Sequence, residues 1–187
     1  WEQNLNDMDP KMTALVAEQY AEDIVGIKIA HYRGYEWEPY RRATEAAGAV
    51  GIPVMVDFGG AEPALPLTEL FFDVLRPGDI YTHAFGGGRT GHGLRESVVD
   101  AQGKLRPEML DAQERGIIFD VGFGGGSFFY DVAVPAIEQG LKPNTISTDF
   151  HTGSMNGGMK NMLNVVSTLL NMGMSLDDVI YRTTWNP

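Results

Sequence analysis

Five short apolar runs punctuate the chain, at 24–29, 54–58, 80–85, 117–121 and 145–149. They are rich in β-branched and aromatic residues, as strands prefer. Their nearly continuous apolarity suits parallel strands covered on both faces. Between them the apolar positions recur at helical spacing. This predicts helices over 9–21, 36–49, 66–75, 107–115, 129–139, 156–172 and 175–184. Asp9-Pro10 reads as an N-cap followed by proline at the first helical position. Gly116 and Gly140 each close a helix, and Ser175 with Asp178 resembles a capping box. Strand then helix, repeated at roughly 30 residues per unit, means a parallel sheet with right-handed crossovers. No linker or break in composition divides the chain, so residues 1–187 are read as a single domain.

In parallel α/β folds the chemistry sits at the carboxyl ends of the strands. Those ends carry Lys28, Asp57, His83, Asp120 and Asp149. Any one of them could be a satisfied or snorkelling side chain. Matching polar positions on successive strands argue instead for one convergent site, because burying an unpaired Lys or His is costly. Histidine and carboxylates are ligands for zinc or a similar divalent ion. A buried Lys loses its proton readily, and the neutral amine can take up carbon dioxide to become an anionic carbamate ligand. His31 and His151 follow strand ends closely and are read first as loop histidines. His92, within Gly91-His92-Gly93, is read as a loop residue with substrate contact as its alternative.

Gly59-Gly60, Gly86-Gly87-Gly88 and Gly124-Gly125-Gly126 follow three of the strands. Gly86-x-Gly88-x-x-Gly91 formally matches a dinucleotide fingerprint. It is set aside because no helix opens at the third glycine and no acid follows on a next strand. The glycines are read as letting loops pass close to a site. No Gly-x-Ser-x-Gly elbow is present, which argues against a serine hydrolase. An open phosphate-binding fold using these loops, with Arg89 as its best support, is the weakest alternative.

Composition narrows the function classes. Lys plus Arg is 14 against 25 Asp plus Glu, a formal net charge of −11, and no basic cluster is present. Nucleic-acid binding and a basic membrane-surface helix are therefore not expected. There is no apolar run of spanning length, about 18 residues. The chain has no cysteine, which excludes thiolate sites and agrees with a cytoplasmic, reducing location.

At these residues the chain resembles the amidohydrolase superfamily, in particular its dihydroorotase-like and deacetylase-like branch. The matching segments are Val25-Gly26-Ile27-Lys28, Thr82-His83-Ala84-Phe85, Gly116-Ile117-Ile118-Phe119-Asp120-Val121-Gly122, Asp149 within Ser147-Thr148-Asp149, and Thr184-Trp185-Asn186-Pro187. The resemblance implies a (β/α)8 TIM-type barrel, usually with a flanking β-domain. A complete barrel needs about 250 residues. The 187 residues here are therefore expected to hold about five strands, units four to eight, of a longer protein. The resemblance also implies hydrolysis of a C–N bond in a cyclic amide or N-acyl compound, with one or two divalent ions, zinc suiting the donors best. Lys28 would be the carbamylated bridging ligand, with Asp57 and His83 as further ligands. Asp149 would touch the metal, act as general base on the attacking water and later protonate the leaving nitrogen. Gly124, Gly125, His151 and His92 would contact the substrate.

Three departures stand out. The family's His-x-His pair of strand one is absent, Asp57 stands where a His is usual, and Gly122-Phe123-Gly124 stands where relatives often have Gly-His-Gly. The chain alone is accordingly expected to be incomplete and inactive. Its open sheet edges would be covered by the rest of the protein or by a second copy. A non-catalytic α/β scaffold or small-molecule binding domain built on the same framework is the competing reading.

Overall fold

Asp9 opens the first long helix as its capping role demands. Its carboxylate accepts the backbone N–H groups of Lys11 and Met12, and Pro10 sets the first turn of α1 (Pro10–Gln19). The computed structural model describes residues 3–57, 60–90, 93–156 and 159–187. Strand β1 (Ile27–Ala30) follows, then α2 (Glu38–Val50) and β2 (Val54–Asp57). Helix α2 ends on Gly51, whose φ of 73° needs no Cβ to be displaced. A short helix α3 (Leu67–Glu69), extended by a π-turn over Leu70–Val74, leads to β3 (Ile80–Thr82). A hairpin comes next, β4 (Gly88–Thr90) and β5 (Gly93–Arg95), and then α4 (Glu108–Glu114), β6 (Ile118–Phe119) and α5 (Tyr130–Glu138). The chain closes with α6 (Met162–Asn171), capped by Asn161, and α7 (Leu176–Ile180), capped by Ser175.

The strands form a four-stranded parallel sheet in the order β1-β2-β3-β6, with the hairpin as a separate antiparallel pair. Lys28 pairs with Met55 and Ala30 with Asp57; Met55 pairs with Ile80 and Asp57 with Thr82. Residues paired in register share a face. One face thus carries Val54, Val56, Tyr81 and Phe119, all fully buried beneath the helices. Phe71 from the π-turn meets Tyr81 and Phe119 there, with ring centroids 5.0 and 5.2 Å apart. The opposite face runs from half-buried Met55, Ile80 and Ile118 up to Asp57, Thr82 and Asp120 at the carboxyl end. The base of this face is apolar and its polar residues gather at the carboxyl end of the sheet, where parallel α/β folds carry their chemistry.

The predicted helices all form within a few residues of their expected limits, except that α6 starts at Met162. The fifth predicted strand differs more. Residues 145–149 run alongside 120–124, with Asp120 bridged in parallel to Thr145, but no ladder is assigned. Val121, Phe123 and Gly124 still donate to the carbonyls of Thr145, Ser147 and Thr148. The reason is local: Gly122 and Gly124 have φ of 47° and 56°, so the 120–124 segment leaves extended geometry and cannot pair regularly. The Gly86-x-Gly88 stretch opens onto a hairpin rather than a helix, as rejection of the dinucleotide motif requires.

Candidate active site

Among the described residues, three non-glycine residues have positive φ: His31 (58°), His83 (57°) and Asp149 (47°). Each costs about 1–3 kcal/mol and persists only where the surroundings over-determine it. All three stand at or beyond the carboxyl end of a parallel segment. The turns aim their side chains across the rim.

The first cluster centres on Asp57, which is 5% exposed. His31 Nε2 lies 3.3 Å and His83 Nε2 3.4 Å from the same oxygen, Asp57 Oδ2. His83 Nδ1 is 2.5 Å from the Gly122 carbonyl. A carbonyl only accepts, so Nδ1 carries the proton and a neutral His83 turns its Nε2 lone pair toward the carboxylate. Two electron-rich atoms attract there only if a cation stands between them, either a proton on Nε2 or a metal ion. Burial raises the pKa of the Asp57 carboxyl. The hydrogen bond and charge of His83, with Arg95 and His31 behind them, more than offset this and bring it down to about 2.

The sign of this shift sets a pH dependence. A carboxyl held below its unfolded value of about 3.9 adds stability above that value and loses it as pH falls through the folded one. In the metal-free protein, unfolding stability is expected to drop by roughly 2 kcal/mol between about pH 4 and pH 2 through Asp57 alone. Asp57→Asn should flatten that part of an acid-titrated denaturation curve. An unchanged slope in the variant would show that Asp57 does not carry it.

Asp120 takes a different role from the other strand-end acids. Its buried carboxylate accepts three hydroxyls at 2.7 Å, from Thr82 and Ser147 on Oδ2 and from Thr145 on Oδ1. It ties β3, β6 and the 145–147 segment together.

The second cluster surrounds Asp149. His151 Nδ1 donates to the Asp149 carbonyl at 2.8 Å and lies 3.6 Å from its Oδ2. The Ser154 hydroxyl lies within hydrogen-bonding distance of the same carbonyl. Gly124 passes so close that a Cβ on it would sit 2.6 Å from Asp149 Oδ2, and one on Gly125 would sit 3.0 Å from Ser154 Cα. The 120–124 segment therefore has His83 against Gly122 and Asp149 against Gly124.

Of the residues expected from sequence, the structure brings together Asp57 with His83, and Asp149 with Gly124 and His151, while Gly125 packs against Ser154. Lys28 lies on the same sheet face as Asp57, two residues before Ala30. It is exposed and makes no ion pair among the described residues. His92 lies outside the described residues. His31 joins Asp57 and is more than a loop histidine; its place one residue past β1 is the sequence signal for this. Arg95 has no sequence signal, because a single arginine in a glycine-rich stretch carries no pattern.

The donor types suit a divalent ion such as zinc. Tetrahedral ligands at about 2.0–2.1 Å from zinc stand about 3.3 Å from one another, matching both Nε2–Oδ2 separations. The pairs fit, but among the described residues no three His, Asp or Glu are arranged to hold a metal ion together. No helix among them is long and apolar enough to cross a membrane.

No family model matches the chain. Curated relatives do. A deacetylase of Brucella anthropi is 36% identical over 183 residues, covering 92% of this chain and 42% of that protein. A deacetylase of Agrobacterium fabrum is 34% identical with the same coverage. Among solved structures, a dihydroorotase superposes with a TM-score of 0.81 at 29% identity, over 99% of this chain and 47% of the other. An adenine deaminase superposes at 0.85 and 27% identity, over 98% and 50%. The chain thus spans about half the length of these relatives. Sequence and backbone together place it in the amidohydrolase superfamily, alongside its deacetylase-like and dihydroorotase-like members, with a partial parallel sheet matching about half of their length.

Proposed function

We propose that this chain supplies part of the active site of a metal-dependent amidohydrolase that cleaves the C–N bond of a cyclic amide or N-acyl compound with water. The observation that carries the reading is the meeting of His31 and His83 on one oxygen of Asp57, with the His83 tautomer set by Gly122. Asp57 and His83 would hold a divalent ion, zinc suiting them best. Lys28, on the same face, would join them as a carbamate. Bound there, the ion would supply Lewis acidity and a water acidic enough to attack at neutral pH. Asp149 would take the proton of that water and return it to the leaving nitrogen. Its half-exposed carboxylate, steadied by His151, stands where a substrate can reach it. Gly124 beside it and Gly125 against Ser154 would let the substrate approach, and His92 and His151 are the polar groups proposed to face the substrate.

Deacetylation, the activity in the relatives' names, falls within this reaction class. Strand β1 pairs only with β2 among the described residues. We assign its open edge to the remainder of a longer polypeptide or to a second copy, and place the protein in the cytoplasm, where a cysteine-free chain is at home.

The open ligand triple favours a second reading, a binding scaffold that no longer holds metal. Elemental analysis after dialysis against metal-free buffer separates the two. The hydrolase reading expects about one zinc-like ion retained per chain and lost in His83→Ala. No metal in either protein would overturn metal binding by this chain and leave the scaffold.

A further inference from the structure

We propose that Arg95 is a positioning residue for His83: the β4–β5 hairpin carries its guanidinium under the rim, where it clamps the left-handed turn that follows β3. The consequence for metal binding rests on the reading of His83 as a ligand; the geometry does not.

Arg95 is 7% exposed. Its Nη2 donates to the carbonyls of Thr82 and His83, each at 3.1 Å, and reaches the Tyr81 hydroxyl at 3.4 Å. The guanidinium carbon lies 5.5 Å from the centre of the Tyr81 ring, and the buried Nε has no hydrogen-bond partner among the described residues. Successive carbonyls of a strand point to opposite edges. One nitrogen can bind two in a row only where the backbone has left strand geometry. The contact therefore recognises the turn itself, at the residue whose φ is 57°. An extended His83 would swing one carbonyl away and lose half the clamp.

The hairpin that delivers Arg95 is anchored independently. Ala61 and Leu94 exchange both backbone hydrogen bonds at 3.0 Å. The Ala84 N–H donates to the Asp120 carbonyl and the Gly86 N–H to that of His83. These two amides report on the turn. With the turn held, the His83 ring reaches both the Gly122 carbonyl and Asp57 Oδ2.

The test uses Arg95→Met and Arg95→Lys in the full chain, with Co2+ alone as the metal probe. Arg95→Met is expected to weaken Co2+ binding by about 10–100-fold, the usual effect of losing a group that orients a ligand, and to shift the visible bands of the bound ion. Its Ala84 and Gly86 amides should exchange at least about 10-fold faster while the Ile27 amide, bonded to the Pro53 carbonyl, keeps its rate. Arg95→Lys should recover part of both effects. Unchanged exchange at Ala84 and Gly86, or equal acceleration at Ile27, overturns the proposal. Should Arg95→Met fail to fold, Arg95→Lys decides by the same comparison of Ala84 and Gly86 with Ile27. A wild-type chain that takes up no Co2+ overturns the metal reading of His83, and the exchange rates then decide the clamp.

Discussion

Gly122→Ala is expected to destabilise the protein by about 4 kcal/mol, from backbone strain and broken buried hydrogen bonds together. A Cβ at this position would lie 2.4 Å from Thr82 Oγ1, 2.7 Å from His83 Nδ1 and 3.0 Å from the His83 backbone nitrogen. None of these is the free end of a flexible chain. Thr82 Oγ1 is held by Asp120, and His83 Nδ1 is held by the Gly122 carbonyl itself. The φ of 47° adds the left-handed penalty on top. Relief requires moving β3 away from β6 or turning His83 out of the site. Urea denaturation measures the cost, with Gly126→Ala as the control: Gly126 is exposed and a Cβ there meets nothing within 4 Å. A loss under about 1 kcal/mol, below the left-handed penalty alone, would show that the space is not closed. Because the contact runs through His83, metal retention should fall with stability in Gly122→Ala and not in the control.

Asp120→Ala should cost nearly as much, about 3–5 kcal/mol. Hydrogen bonds to a charged acceptor are the stronger kind, and three hydroxyls from two separate segments end on this one carboxylate. Removing it leaves Thr82, Thr145 and Ser147 without their acceptor in a buried place. The Ser147 hydroxyl also accepts the Gly122 N–H, so the damage spreads to the turn that serves His83. Asp120→Asn keeps the shape but offers an N–H₂ to donors, and is expected to recover about half of the loss by retaining one carbonyl oxygen. Equal stability of wild type and Asp120→Ala would mean that water replaces the carboxylate. Amide exchange in residues 121–124 should rise in Asp120→Ala, since that segment loses its carboxylate tie to 145–147 and keeps the backbone hydrogen bonds to it. Asp149, at the end of that tie, should lose its fixed position with it.

Much of the fold was legible because its signals are local. Asp9, Asn161 and Ser175 satisfy backbone N–H groups two or three residues away, so the caps show in any short window. The apolar runs at 54–58 and 80–85 announce strands, because a strand buried on one face and half-buried on the other has few polar alternatives. Asp57 and His83 were legible as partners of one site since both end such runs. The irregular pairing of 145–149 was not. It depends on the backbone angles of Gly122 and Gly124 in the neighbouring segment, which its own residues do not encode.

Asp120 shows where reading strand ends by position reaches its limit. It occupies the same kind of place as Asp57, and pattern alone groups the two. What separates them is the company each keeps: Asp120 faces three hydroxyls, Asp57 faces two imidazoles. A hydroxyl donor set holds a carboxylate as a structural knot, whereas an imidazole pair leaves it a place for a cation. Arg95 went unread for a related reason. Its partners, the Thr82 and His83 carbonyls, are backbone groups that every residue possesses.

The order of helices and strands, the parallel sheet and the end at which the polar residues gather all follow from periodicity, caps and turns that act within a few residues. The separation of roles among those polar residues came from the packed fold. It required β1, β2, β3 and β6 to align in register, and three left-handed turns to aim His31, His83 and Asp149 across the rim. Hydrogen bonds and ion pairs act over about 3 Å, and residues far apart in the chain come within that range only when the sheet and its helices are packed.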